Sequence, residues 1–326
     1  MSAAPAETTG AAAFRGSALE PTVPTSPSCL AALAVATFLA ALPVPSAAQT
    51  PPGMLVSAAW VAAHLKDPDV VVLDAETQRG PYDEGHVPGA RYLDMNGLMW
   101  QGDPPVGAEM RTPAEVDSAL EAAGASDGQR IVVYGSSPLM AARAWVTLDA
   151  MGIGDHASMM DGDLAEWRRE GRPISTETPA VTPGVLTLRP RSDVVVDSKW
   201  LLSRLHDPHL AILDARSEAE YAGTGGESGE GLHAGHVPGA YDLDWQRLVD
   251  SPKLPLLRPR RELDSLVDAS GAPSGSTVVV YCRTGVRASF DYFVARLLGF
   301  QTKLYDGSWR DWGSKDLPYV VGTSRR

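Results

Sequence analysis

The chain has 326 residues, 44% of them hydrophobic, enough for two ordinary domains with complete cores. Its formal net charge of −12 excludes the basic face that a nucleic-acid partner needs. Its 31 glycines and 26 prolines stay below the level of a disordered chain, and any anion site has to be built locally against the overall field.

The first fifty residues are rich in Ala, Pro, Ser and Thr and hold one apolar run, Leu30–Leu42, followed by small residues up to Ala48. This is the pattern of a signal peptide over residues 1–48. The run is short for a membrane span, and no later segment is longer and as apolar, so stable membrane insertion is not expected. Export to the periplasm is the expectation; a cytoplasmic protein is the alternative if the leader is not a working signal. Cys29 lies in this leader, so the mature chain keeps one thiol, Cys282, and has no intrachain disulfide.

After the leader the chain repeats itself. Trp60 and Trp200 each open a helical segment that ends in Asp-Pro, at Asp67-Pro68 and Asp207-Pro208. A β-rich run follows each, Val70–Ala75 and Leu210–Ala215, and then a tyrosine, Tyr82 or Tyr221. Gly85-His86-Val87-Pro88-Gly89-Ala90 recurs as Gly235-His236-Val237-Pro238-Gly239-Ala240. Ile131–Tyr134 matches Val278–Tyr281, and Asp161-Gly162 with Trp167 matches Asp306-Gly307 with Trp312. The conserved order of these blocks implies two homologous domains, 54–175 and 194–322, joined by a Pro- and Thr-rich linker over 176–193. Helices are expected over Thr112–Ala123, Met140–Met151, Arg261–Asp268 and Ser289–Leu298. Strands alternating with helices predict an α/β fold, each domain a mainly parallel sheet flanked by helices.

In such folds ligands sit beyond the carboxyl ends of strands, where helices begin. Cys282 is at such a place, between the strand Val278–Tyr281 and the loop Arg283-Thr284-Gly285-Val286-Arg287. Loop amides, the positive end of a helix dipole and two arginines all favour a thiolate there. Gly135 holds the matching position in the first repeat, with Pro138 close behind, so that domain lacks the nucleophile. There is no Cys/His spacing for zinc and no Gly-rich nucleotide loop; no metal or cofactor is expected.

These residues resemble the two-domain rhodaneses, the thiosulfate and 3-mercaptopyruvate sulfurtransferases. The resemblance rests on the doubled Gly-His-Val-Pro-Gly-Ala, the Cys282–Arg287 loop and Tyr305-Asp306-Gly307-Ser308-Trp309. It implies an enzyme whose second domain is catalytic and whose first is a degenerate copy. Cys282 would take a sulfane sulfur from a small anionic donor as a persulfide and pass it to a thiophilic acceptor such as cyanide, a thiol or a protein. The resemblance assigns donor binding to Arg216, Arg283 and Arg287, and the anion-holding loop to Thr284, Gly285 and Val286. Asp214, His86 and His236 are supporting candidates, with His86 the first-domain histidine expected nearest the cleft; a histidine in such a turn commonly bonds the turn itself. Arg283 follows the thiosulfate-using branch, whereas Thr284 and Arg287 depart from the usual loops. Related phosphatases use Cys-x5-Arg, and the shorter Cys-x4-Arg spacing here suits a single sulfur atom. Thiosulfate is the expected donor, 3-mercaptopyruvate the enzymatic alternative, and a persulfide carrier for a protein partner the non-enzymatic one.

Overall fold

The computed structural model describes residues 53–100, 107–225, 231–270 and 275–325. The expected leader and Cys29 lie outside the described residues.

Each half is one five-stranded parallel sheet wrapped by helices. The first half runs β1 (Leu55–Val56), α1 (Ala58–His64), β2 (Val70–Glu76), α2 (Arg79–Glu84), β3 (Arg91–Asp94), α3 (Pro113–Ala122), β4 (Arg130–Tyr134), α4 (Pro138–Ala150), β5 (Ala157–Met160) and α5 (Asp163–Arg169). The second runs β6 (Val195–Val196), α6 (Ser198–Leu202), β7 (Leu210–Asp214), α7 (Glu218–Tyr221), β8 (Tyr241–Asp242), the hairpin β9 (Val249–Ser251) and β10 (Leu254–Leu257), α8 (Arg260–Ser270), β11 (Thr277–Tyr281), α9 (Val286–Leu298), β12 (Gln301–Tyr305) and α10 (Ser308–Trp312). The sheet orders, β1-β5-β4-β2-β3 and β6-β12-β11-β7-β8, are the same order taken twice. The central strands are near-continuous runs of Val, Ile and Leu because both of their faces are covered.

The repeated motifs do repeated structural work. Ser57 and Asp197 cap α1 and α6 by accepting from Trp60 N and Trp200 N. His86 stacks on Tyr82 with ring centroids 3.8 Å apart, and His236 on Tyr221 at 3.7 Å. Each Nδ1 bonds the carbonyl oxygen of its tyrosine at 2.8 Å. The two tyrosine hydroxyls then donate to Ala90 O and Ala240 O, closing the turn on itself. Gly89 and Gly239 have φ of +79° and +84°, which a side chain would strain. The doubled hexapeptide is therefore a turn lock.

The linker 176–193 carries no helix or strand and lies along the first half. Thr187 bonds the Asp127 carboxylate, and Arg189 N and Arg191 N donate to Met151 O and Ala150 O.

The halves share one core. Helices α4 and α9 are buried over most of their length and face each other, with Trp145 edge-on to Phe293 at 4.9 Å. Such a pair adds about 0.5–1.5 kcal/mol beyond its buried area. At the C-terminal end of α4, Asp149 accepts from Tyr292 OH at 2.7 Å and pairs with Arg191 and Arg296.

One difference between the copies has a thermodynamic consequence. Tyr134 OH donates to Asp74 at 2.8 Å, and Tyr281 OH to Asp214 at 2.5 Å. In the second half Arg216 balances the carboxylate; the matching first-half residue is Glu76. Desolvation by burial pushes Asp74 up to about 7, against the lowering effect of the Tyr134 hydroxyl, and Glu76 adds to the rise. From about pH 4, where an unfolded aspartate ionises, to about pH 7, the folded chain keeps a proton that the unfolded chain has released. Stability from this group is therefore present at low pH and lost as pH rises through that window. Asp74→Asn should lose less stability than the parent between about pH 5 and about pH 8, measured by urea unfolding. An identical pH dependence would contradict this.

Candidate active site

Strand β11 ends at Tyr281, and Cys282 is the first residue beyond it. Valines 278–280 fix the strand between β7 and β12, so the cysteine emerges at the carboxyl edge of the sheet. Its residue is only 1% exposed, whereas Arg283, Thr284, Val286 and Arg287 are half-buried. The turn after β12 holds the cysteine from one side. Cys282 N donates to Ser308 Oγ at 3.1 Å, Trp309 N donates to Cys282 O, and Arg310 N to Arg283 O, both at 2.9 Å. Ser308 adopts a φ of +55°, an uncommon conformation for a residue with a side chain.

Gly285 caps α9 with a φ of +87°. A Cβ there would stand 2.4 Å from Asp306 Oδ1, so only glycine fits. Among the described residues, the amides of Thr284, Gly285, Val286 and Arg287 have no hydrogen-bond acceptor. α9 is thirteen residues long, and its unpaired amides and dipole make the loop a ready anion cradle.

The arginines divide by role. Arg287 makes a bidentate pair with Glu220 at 2.6 and 2.7 Å. Burial would lower its pKa, but the Glu220 carboxylate and the Cys282 sulfur raise it above the ordinary arginine value. A cation is thus fixed beside the cysteine. Arg283 lies in the loop, half-buried, with its carbonyl taken by Arg310. Arg216 stands just beyond the end of β7, beside the strand that leads to the cysteine. It is fully buried, donates from Nε and Nη2 to Asp214 at 2.7–3.2 Å, gives a further bond to Gly235 O, and lies over the Trp309 ring. Asp214, at the end of β7 and also bonded by Tyr281, needs that cation in a site without water access. Arg216 is therefore placed as the counter-charge of Asp214.

His86 bonds the turn that holds it. It is buried, and its Nε2 lies 3.1 Å from Glu177 O, so both ring nitrogens serve the turn and the linker. His236 is buried in the equivalent turn, and desolvation lowers its pKa. Both histidines take the turn-bonding role.

Four residues near the cysteine were not identified from the sequence as parts of the site. Glu220 is the N3 residue of the α7 capping box with Ser217, a spacing that gives a structural reason for its presence and conceals its second bond to Arg287. Ser308 and Asp306 sit within the quoted Tyr305–Trp309 motif. Asp291, one turn beyond Arg287 on α9, is buried; its carboxyl oxygens have no partner among the described residues. Desolvation, then the charges of Asp244 and Cys282, raise its pKa well above the usual range.

The first half shows what the site loses without a cysteine. Gly135 N donates to Asp163 Oδ1 at 3.3 Å, the counterpart of the Cys282–Ser308 bond. Glu76 fills the loop, accepting from Ser136 N at 2.5 Å and Ser136 Oγ at 3.0 Å. A Cβ on Gly135 would stand 2.8 Å from Ala75 O. An acid occupies the place where the second half holds amides open to an anion. A cavity of about 950 Å³ lies beside Asp306 and Gly307, lined by Lys199, Trp200 and Lys303 among others, and Cys282 does not line it. Its size reflects the seam between the halves, not the reactive group.

Because Arg216 is completely buried, Arg216→Ala should act on stability. Leaving Asp214 as an unpaired buried charge costs about 3–5 kcal/mol, read as a lowered urea midpoint. A variant of parent-like stability with a raised donor KM would instead place Arg216 in the binding site.

The family model for the rhodanese-like domain matches residues 57–170 and again 197–315. The chain is 33% identical to the sulfur carrier protein TtuD of Thermus thermophilus, over 81% of this chain and 94% of that protein. It is 31% identical to a thiosulfate sulfurtransferase of Pseudomonas aeruginosa, over 82% of this chain and 97% of that one. Its structure resembles that of the 3-mercaptopyruvate sulfurtransferase SseA from Escherichia coli, with a TM-score of 0.69 and 27% identity over 79% of this chain and 99% of that chain. With the duplicated sheet and the Cys282 loop, these matches establish that the chain belongs to the rhodanese family and carries two rhodanese-like domains.

Proposed function

We propose that the chain is a sulfurtransferase that carries sulfur as a persulfide on Cys282, with thiosulfate or a similar small anion as donor. The observation that carries this reading is the run of acceptor-free amides from Thr284 to Arg287, directly after the cysteine. The Cys282 thiolate attacks the sulfane sulfur of thiosulfate, the S–S bond of the donor breaks, and sulfite leaves with the bonding electron pair. The new persulfide keeps the negative charge on its outer sulfur. An acceptor thiolate or cyanide then attacks that sulfur, and the enzyme thiolate is the leaving group. The amides are set before the charge arrives, so their orientation costs nothing during reaction. The names of the Pseudomonas and Escherichia relatives support the two donors, thiosulfate and 3-mercaptopyruvate. The Thermus relative's name, and a cysteine that is 1% exposed, favour a second reading in which a docked protein partner exchanges the sulfur.

Arg287 reaches an anionic donor by giving up one arm of its pair with Glu220. We also propose that the leader 1–48 is an export signal, on the strength of its apolar run and the small residues that follow; the N-terminal sequence of protein recovered from the periplasm tests this.

Intact mass after incubation with thiosulfate should rise by one sulfur in the parent and not in Cys282→Ala. Steady-state turnover with cyanide then separates enzyme from carrier, and a donor panel separates thiosulfate from 3-mercaptopyruvate. No mass gain with either donor would sink the sulfur-transfer reading. Glu220→Gln, which weakens the hold on Arg287, should lower the donor KM severalfold; a raised KM would mean that the pair must stay closed for binding.

A further inference from the structure

The degenerate first half sends a buried arginine to the turn that holds the Cys282 loop. Arg143 lies in α4, a helix that is otherwise almost entirely apolar, and it is fully buried. Its Nη1 and Nη2 donate to Asp306 Oδ1 and Oδ2 at 2.6 and 3.0 Å, and Nη2 also donates to Ala108 O at 2.6 Å. Asp306 Oδ2 accepts from Met110 N, another first-half group, at 2.7 Å. Asp306 belongs to the turn whose Ser308 and Trp309 bond both backbone groups of Cys282. The ion pair also underlies the loop itself. The Cβ direction of Gly285 points at Asp306 Oδ1, at 2.4 Å, and at Arg143 Nη1, at 3.4 Å. On the same side, a Cβ on Gly107 would stand 3.7 Å from Thr284 Cγ2.

We propose that Arg143 is a positioning residue for sulfur transfer: through Asp306 it fixes the 305–308 turn and the floor of the Cys282–Arg287 loop, making the first domain a necessary part of the catalytic geometry. The inference rests on the sulfur-transfer reading above. A bidentate guanidinium–carboxylate pair permits one relative orientation of its partners. Burial makes breaking it costly, so the turn has one arrangement and the loop amides keep one direction. The first domain has lost its nucleophile, and this contact gives a physical reason for the second half to depend on it.

The helix pair offers an internal control. Tyr292 and Asp149 join the same two helices at the far end of α4, remote from the loop. Loss of docking alone should be reproduced by Tyr292→Phe, whereas loss of loop geometry should not. The experiment uses the whole chain and compares Arg143→Met, Arg143→Lys, Asp306→Asn and Tyr292→Phe. It reads kcat and KM with thiosulfate and cyanide, the rate of Cys282 alkylation by iodoacetamide, and the urea midpoint. Arg143→Met should lower kcat by about tenfold to a hundredfold, the scale of a misplaced reacting group, with donor KM changed less than about twofold. Alkylation should slow in parallel, and Arg143→Lys should recover part of both. Tyr292→Phe should lower the urea midpoint and leave kcat in place. Should Arg143→Met fail to fold, Arg143→Met combined with Asp306→Asn removes both charges and carries the same expectation. A folded Arg143 variant with parent-like kcat and alkylation rate would overturn the proposal. So would an equal kcat loss in Tyr292→Phe at equal loss of stability. If the parent itself transfers no sulfur, the alkylation rates still decide the role of Arg143, and only the functional reading fails.

Discussion

The Cys282 loop is held from outside itself. Its glycine caps a helix without a side-chain bond, and its amides from Thr284 to Arg287 have no acceptor among the described residues. What fixes it is the turn after β12, through Ser308 Oγ and the amides of Trp309 and Arg310. That turn is fixed in its own right by the bidentate bond from Arg143 to Asp306. The loop can leave its amides unpaired for an incoming anion because neighbouring segments supply the rigidity. An anion cradle that satisfied its own amides would have nothing left to offer a persulfide.

The duplication shows how little has to change to abolish such a site. Both halves keep the sheet order, the tyrosine–aspartate bond and the histidine turn lock. They differ at the cysteine, at the residue two places after the buried aspartate, and at the residue that bonds the loop's first amide. Gly135, Glu76 and Asp163 stand where Cys282, Arg216 and Ser308 stand in the second half. Each first-half change removes a nucleophile or adds an acid. The electrostatic cost appears at Asp74, which has Glu76 where Asp214 has its paired arginine, and at Asp163, whose pKa burial raises well above the ordinary carboxyl value.

The fold was legible because it is written in period and repetition. Runs of Val, Ile and Leu bounded by Asp-Pro and Gly-rich turns mark buried parallel strands, and the doubled hexapeptide aligns the halves. The predicted helices fall within a few residues of α3, α4, α8 and α9. Cys282 was legible because strand, thiol, glycine and helix start occur in that order. Side-chain direction was not. Arg216 stands two residues after Asp214, a spacing that fits an open cleft or an inward pair equally, and only the tertiary fold decides for the pair. Arg287 could be read as a loop cation, yet its partner Glu220 sits 67 residues away. Arg143 has a sequence signal of its own. A buried arginine in the middle of a helix as apolar as Pro138–Ala150, whose other charge is Asp149 at its end, must find a buried partner, and that partner is 163 residues away.

The most direct test of the account is a crystal structure of the thiosulfate-treated protein, with the added sulfur located by its anomalous signal. The account predicts one extra sulfur, bonded to Cys282 Sγ and within hydrogen-bonding distance of the loop amides of residues 284–287. An extra sulfur directed into the apolar core, away from those amides, would contradict it. So would a fully treated protein whose Cys282 remains an unmodified thiol.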